Sequence, residues 1–110
     1  MKGSFAKHSV QKKTELGGGV TRTVLAHYEQ LLVAEVSFET GAVGAVHTHP
    51  HTQCSYVLSG KFEYSIENET VVMEQGDSIV VPSGLPHGTV CLEQGTLLDV
   101  FTPEREDFLG

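Results

Sequence analysis

The sequence predicts an all-β domain, a sandwich or small barrel, and three observations carry that expectation. Short runs rich in Val, Ile, Thr and aromatic residues recur along the chain, Gly and Pro stand at the ends of most runs, and almost no segment shows the 3.6-residue period of an amphipathic helix. At 110 residues the chain suits one domain with a real core and is too short for two.

Taken in order, residues 1–19 read as a polar leader closing on Gly17-Gly18-Gly19, and residues 20–110 as the barrel domain. Strands are expected at 20–27, 30–39, 43–47 and 52–58, then at 61–66, 70–74, 78–81, 88–92 and 96–102, because each is a β-branched or aromatic run bounded by turn-forming residues. Ser59-Gly60 and Glu67-Asn68-Glu69 have the length of hairpin connections, while Gly76-Asp77 and Glu93-Gln94-Gly95 punctuate the later strands. Gly60, Gly76 and Gly84 suit turns that need positive φ, and Pro82 stiffens the loop leading to His87. The ending Thr102-Pro103-Glu104-Arg105-Glu106-Asp107 has the order of an N-cap, a proline at N1 and acidic residues in a first turn, so a short C-terminal helix or turn is expected.

Charge and composition exclude several classes of function. With 14 acidic and 7 basic residues the formal net charge is -7, which lacks the basic footprint that nucleic acid or an anionic membrane requires. No apolar run approaches the ~20 residues of a membrane span and the N-terminus lacks the apolar stretch of a signal peptide, so a cytoplasmic protein with no membrane partner is expected. Cys54 and Cys91 are too few for a disulfide framework and stand in no metal-binding pair, which makes them small buried hydrophobes. The leader or an edge strand offers a means of homodimerisation.

The chemistry concentrates in two segments, one running from Gly41 through His47-Thr48-His49 and Gln53 to Gly60, the other from Gly76 through Pro82-Ser83-Gly84 to His87. On an extended strand, side chains at i and i+2 share a face, so His47 and His49 are placed to chelate. Imidazole suits transition metals and a carboxamide oxygen is a harder ligand, so Gln53 and His87 complete a candidate set of four with positions left for substrate or water. Any one of these histidines alone reads better as a hydrogen-bonded core residue; the paired segments with their glycine and proline punctuation favour the metal. His51 follows Pro50 and reads as a pocket-rim residue, and His8 and His27 as surface residues.

A second constellation lies in the last strand. Alternation puts Leu97, Asp99 and Phe101 on one face, so if Phe101 points into the barrel, Asp99 does too. A carboxyl group there is costly to ionise, which raises its pKa toward a range useful for acid–base work. Arg105, one of only two arginines, has the planar fork that clamps a carboxylate. The plainer alternative makes Asp99 and Arg105 ordinary surface charges.

Both histidine segments resemble the two sequence motifs of the cupin superfamily, small double-stranded jelly-roll β-barrels. The chain departs from the common pattern at Gln53, where Glu is more usual, and at Cys91, where Asn is usual. The runs from Gly44 to Gln53 and from Leu97 to Leu109 are similar, within that superfamily, to the KdgF-type pectin-degradation cupins. That resemblance implies metal-dependent conversion of 4,5-unsaturated monouronates from pectin or alginate to the linear 4-deoxy-5-keto sugar acid. It implies one divalent transition metal (Ni, Zn, Mn or Fe) on His47, His49, Gln53 and His87, with catalytic or substrate-contacting roles for Asp99, Phe101 and Arg105. A neutral glutamine in place of a carboxylate leaves the ion its full formal charge and makes it the stronger Lewis acid, which favours proton transfer and ring opening. Fold alone does not select chemistry, and the alternatives are a small metal-dependent cupin dioxygenase or a non-catalytic sugar-binding cupin.

Overall fold

The computed structural model describes residues 1–109, built from eight strands, a 3-10 turn at His8–Val10 and one short helix. The strands are β1 (Lys13–Gly17), β2 (Val20–Tyr28), β3 (Leu31–Phe38), β4 (Val43–His47), β5 (Thr52–Ile66), β6 (Glu69–Glu74), β7 (Ser78–Val81) and β8 (His87–Thr102), followed by α1 (Glu106–Leu109). All pair antiparallel. β5 and β8 run alongside each other for almost their whole length, from Thr52 opposite Thr102 to Ile66 opposite His87. The N-terminal part of β5 and the C-terminal part of β8 are flanked by β7 and by β3-β2-β1; their other halves are flanked by β6 and β4. The two long strands thus belong to two facing layers, the jelly-roll arrangement.

The expected strands at 52–58 and 61–66, and at 88–92 and 96–102, are therefore not separate elements: each pair is one continuous strand, and the register between the two shifts in steps from Val57 to Phe62. Ser59-Gly60 and Glu93-Gln94-Gly95 are bends, not turns. The reason is close backbone approach. Gly60 has φ of 83°, and a Cβ there would lie 2.5 Å from the carbonyl oxygen of Glu93; a Cβ on Gly95 would overlap the carbonyl oxygen of Ser59. Two glycines placed against each other let both strands fold over at one point while keeping their ladder. Gly95→Ala is accordingly expected to destabilise the domain by at least the ~1–3 kcal/mol typical of overpacking, seen as a lower midpoint in urea; an unchanged midpoint would contradict the crossing.

The layers enclose a core of Phe38, Val57, Phe62, Met73, Val81 and Leu97, with Phe38 and Phe62 edge to face at 5.3 Å. Leu32, Ala34 and Phe101 form a second cluster nearer the C-terminus, against which Val24 and Phe108 pack. Cys91 is buried and Cys54 half-buried; both are free thiols, and burial pushes the Cys91 thiol up. Residues 13–17, read as part of a polar leader, form β1 and pair with β2 of the same chain across the Gly17-Gly18-Gly19 turn. No described helix is long and apolar enough to cross a membrane.

The C-terminal helix begins at Glu106, later than the Thr102-Pro103 expectation. Thr102 ends β8 and its bond to Pro103 is cis. The Glu104 N–H donates to the Glu29 carbonyl at 3.1 Å, and the Glu104 carbonyl accepts from His51 Nε2 at 3.2 Å. These groups are committed to the barrel, so the helical turn starts after them, with Glu106 and Asp107 in its first turn.

Candidate metal centre and pocket

His47 ends β4 and stands directly opposite His87, the first residue of β8. His49 lies beyond the strand, in the connection to β5, so strand alternation is not what brings it to His47. The turn at Pro82-Ser83-Gly84 does so: Gly84 N–H donates to the His49 carbonyl at 2.9 Å and Ser83 Oγ donates to the Pro50 carbonyl at 2.5 Å, which braces one histidine segment against the other. The rings converge, with centroids 4.4 Å apart for His47 and His87, 4.7 Å for His49 and His87, and 5.5 Å for His47 and His49. One nitrogen from each lies within 4.8 Å of the others. His49 and His87 are buried while His47 faces the open side.

The hydrogen bonds set the tautomers. Each Nδ1 has a backbone carbonyl within reach: His47 donates to Ala45 at 2.8 Å, His49 to His51 at 3.0 Å and His87 to Leu85 at 2.9 Å. In a neutral ring the other nitrogen, Nε2, then carries a lone pair. Burial holds the His49 and His87 pKa values below the ordinary histidine range; the hydrogen bonds to Gln53 and the Leu85 carbonyl oppose it while the neighbouring histidines and Arg105 press the same way, a balance that favours the neutral rings.

Gln53 is oriented by a chain of partners that begins at Asp99. The single Ser55 hydroxyl hydrogen goes to Asp99 Oδ1 at 2.6 Å, so Ser55 Oγ must accept, and it does so from Gln53 Nε2 at 3.0 Å. The same amide nitrogen donates to Tyr64 Oη at 3.2 Å. Gln53 Oε1 is left facing His49 Nε2 at 2.9 Å. A neutral His49 ring has one N–H for two facing oxygens, so when Nδ1 donates to the His51 carbonyl its Nε2 lone pair meets Gln53 Oε1, and His87 Nε2, also buried, has no hydrogen-bond partner among the described residues. A cation among these atoms would satisfy every one of them; the three histidines could hold a metal ion, and a carboxamide oxygen beside them matches the ligand preferences of a divalent transition metal.

Beside this cluster lies a cavity of about 210 Å³, below the ~300–1,000 Å³ of pockets for drug-sized ligands and so suited to one small molecule. It is lined by His47, Gln53, His87, Tyr64, Asp99 and Phe101 toward the metal side. Arg22, Arg105 and Phe108 line it as well. Asp99 points inward as alternation predicts. Burial pushes its carboxyl up to about 6, while the hydrogen bonds from Ser55 and Gln53 and the charge of Arg105 pull the other way. Phe101 is buried with its ring 5.7 Å from His49. Arg105 is not a free surface charge: it is buried, donates through Nε and Nη2 to Asp107 at 2.9 and 2.6 Å, and stacks on Phe108 at 4.3 Å.

His51, expected at the rim, is half-buried against Phe101, and His8 and His27 pair with Glu35 and Glu104 near the surface. Ser55, Tyr64 and Arg22 escaped the reading of the sequence. Ser55 was within reach of it, since it shares the inward parity of Gln53 on β5. Tyr64 lies across the glycine bend, and Arg22 has only the parity it shares with Val20 and Val24 on β2 to mark it.

A jelly roll with three histidines and a glutamine in its mouth defines a cupin, and the Cupin domain family matches residues 34–101. An RmlC-like cupin from Shewanella frigidimarina NCIMB 400 superposes with a TM-score of 0.91 at 38% identity, covering 98% of this chain and 99% of that one. KdgF from Halomonas sp. gives 0.90 at 36%, covering 96% and 99%. The pectin degradation protein KdgF of Dickeya dadantii (strain 3937) is 40% identical over 97 residues, 86% of this chain and 88% of that protein. The chain belongs to the KdgF family of cupins.

Proposed function

We propose that this cupin converts 4,5-unsaturated monouronates to the linear 4-deoxy-5-keto sugar acid, with a divalent ion held by His47, His49, Gln53 and His87. The observation that carries the reading is that Asp99, raised to about 6 by burial, shares one sugar-sized cavity with the histidine cluster and with Arg105. The 40% identity to a pectin degradation protein supports it.

The substrate ring is an enol ether joined to a hemiacetal carbon. Asp99 takes the proton of the hemiacetal hydroxyl; the aldehyde forms as the bond from that carbon to the ring oxygen breaks, and the electron pair leaves on the ring oxygen as an enolate. Asp99 then returns the proton to the alkene carbon and the enolate becomes a ketone, so one carboxylate balances the reaction. When bound, the metal supplies Lewis acidity that favours negative charge on oxygen. Ser55 holds Asp99 and Gln53 together, so the base and the metal ligand keep a constant relation. Phe101 walls the cavity and excludes water, and Arg105 engages the uronate carboxylate. The acidic protein attracts no anion at long range; short-range cations do it, where screening is weak.

Loss of the conjugated chromophore of lyase-generated unsaturated monouronate tests the reading: it should be accelerated by the metal-loaded protein and return to the uncatalysed rate with chelator. Oxygen uptake with a catechol in place of chromophore loss would mark a dioxygenase instead. Arg105→Ala is expected to raise KM with kcat nearly preserved, the pattern of binding lost equally from ground and transition states; a fall in kcat alone would contradict a simple clamp. We further propose action in the cytoplasm as a homodimer, with the segment through residue 19 contributing to pairing. Its strand β1 lies at the sheet edge with Leu16 exposed, and light scattering of the purified protein measures the state.

A further inference from the structure

Arg22 is the other arginine of the chain, and it is inside the barrel mouth. On β2 it shares an inward face with Val20, a core residue, and Val24, which packs against the cluster of Leu32, Ala34 and Phe101. A guanidinium between two apolar neighbours has to meet something anionic or remain water-exposed. Its carbon sits 3.8 Å over the ring of Phe108, the same ring on which Arg105 stacks at 4.3 Å. Its Nε is buried with no hydrogen-bond partner among the described residues. Among the described residues no carboxylate lies within 4.0 Å of it, whereas Arg105 already binds Asp107 through two nitrogens. Asp107 attracts Arg22 as well, but at longer range, so the guanidinium at the cavity without a direct ion pair among the described residues is Arg22 and not Arg105.

We propose that Arg22 is a substrate-binding residue that, together with Arg105 and on the shared ring of Phe108, seats the carboxylate of a monomeric sugar acid and makes the pocket selective for it over neutral sugars. This rests on the uronate reading above for the identity of the substrate, though not for the anion. Asp107 pairs directly with Arg105, which leaves the Arg22 guanidinium, among the described residues, without a direct anionic partner and available to the substrate carboxylate. The planar faces are occupied by Phe108, so the N–H edges are what remains for hydrogen bonding. Both arginines line the same cavity as Asp99 and Gln53, so an acid held at this end presents its ring to them.

Arg22→Gln is expected to raise KM for unsaturated monouronate by about 10-fold or more, as loss of a charge-assisted hydrogen bond implies, with kcat changed far less. It should weaken D-galacturonate, an unreactive acid, by a similar factor in calorimetry while leaving the neutral sugar D-galactose unaffected. Unchanged galacturonate affinity would overturn the proposal. If the wild type binds galacturonate through Arg22 yet turns over no unsaturated monouronate, the uronate reaction fails and the anion site stands. Should Arg22→Gln not fold, the wild type still decides, because two arginines give only two Nε–Hε signals in a nitrogen-15 spectrum. Both should shift on galacturonate titration, and an Arg22 signal, identified as the one remaining in Arg105→Lys, that stays in place would overturn the proposal.

Discussion

Asp99→Asn should reduce turnover by about 10² or more, the range of a lost general acid–base group, while metal content and fold are retained. Its carboxyl lies within a buried network in which Ser55 donates at 2.6 Å, and an asparagine oxygen can still accept that bond. What disappears is the group that takes and returns the proton. The wild-type rate should therefore fall as Asp99 becomes protonated, at about pH 6 or lower since a bound cation favours the carboxylate, and the residual rate of Asp99→Asn should lack that limb. Stability should move the other way. Because the folded pKa lies above the ordinary carboxyl value of 3.8, the ionised form opposes folding; the penalty is absent at low pH, grows from about pH 4 to 6 and is complete above that. A shift of about two units corresponds to about 3 kcal/mol at most, so metal-free Asp99→Asn should be more stable than wild type at pH 8 and equal to it near pH 4. Urea titrations at the two pH values measure this. Turnover equal to wild type would remove Asp99 from the reaction, and equal stability at pH 8 would show that its burial costs nothing.

His87→Ala should abolish metal retention on dialysis, measured by elemental analysis, and activity should fall with it. His87 faces His47 across the β4–β8 ladder, it is 2% exposed, and its Nε2 has no partner among the described residues. Outer partners of a metal ligand typically contribute ~10–100-fold in affinity, so removing a ligand itself should cost more. Full occupancy in the variant would show that His87 is a core histidine, the plainer reading of such a residue. The conservative companion is Ser55→Ala. It removes one of the two hydrogen bonds that orient the Gln53 amide, leaving the one to Tyr64, and the expected result is weakened metal retention with His47, His49 and His87 still in place.

Much of the architecture is visible along the chain because antiparallel strands write their period locally. The run from Leu97 to Phe101 alternates inward and outward, and that alone places Asp99 inside. Gly60 and Gly95 misdirect the same reasoning, since glycine at a turn and glycine at a bend between continuous strands have the same local signature. They are told apart by what approaches them, here the carbonyls of Glu93 and Ser59. His47 and His49 mislead in another way: the expectation that they converge holds, but the i, i+2 argument for it does not, because β4 ends at His47. The turn carrying Ser83 and Gly84 supplies the constraint from more than thirty residues away, as the Ser83 bond to Pro50 shows.

Residue type and spacing thus determined the all-β class, the four candidate ligands and the inward carboxyl, since each depends on backbone period or on the coordination preferences of single side chains. Tertiary structure decided what depends on partners far apart in the chain. Through Ser55 it turns the Gln53 oxygen toward His49; it raises Asp99 to about 6 by enclosing it; and it pairs Arg105 with Asp107 while bringing Arg22, from the opposite end of the sequence, onto the same phenylalanine with no direct ion pair among the described residues. Desolvation and hydrogen-bond direction are properties of the enclosed site, and no local pattern encodes them.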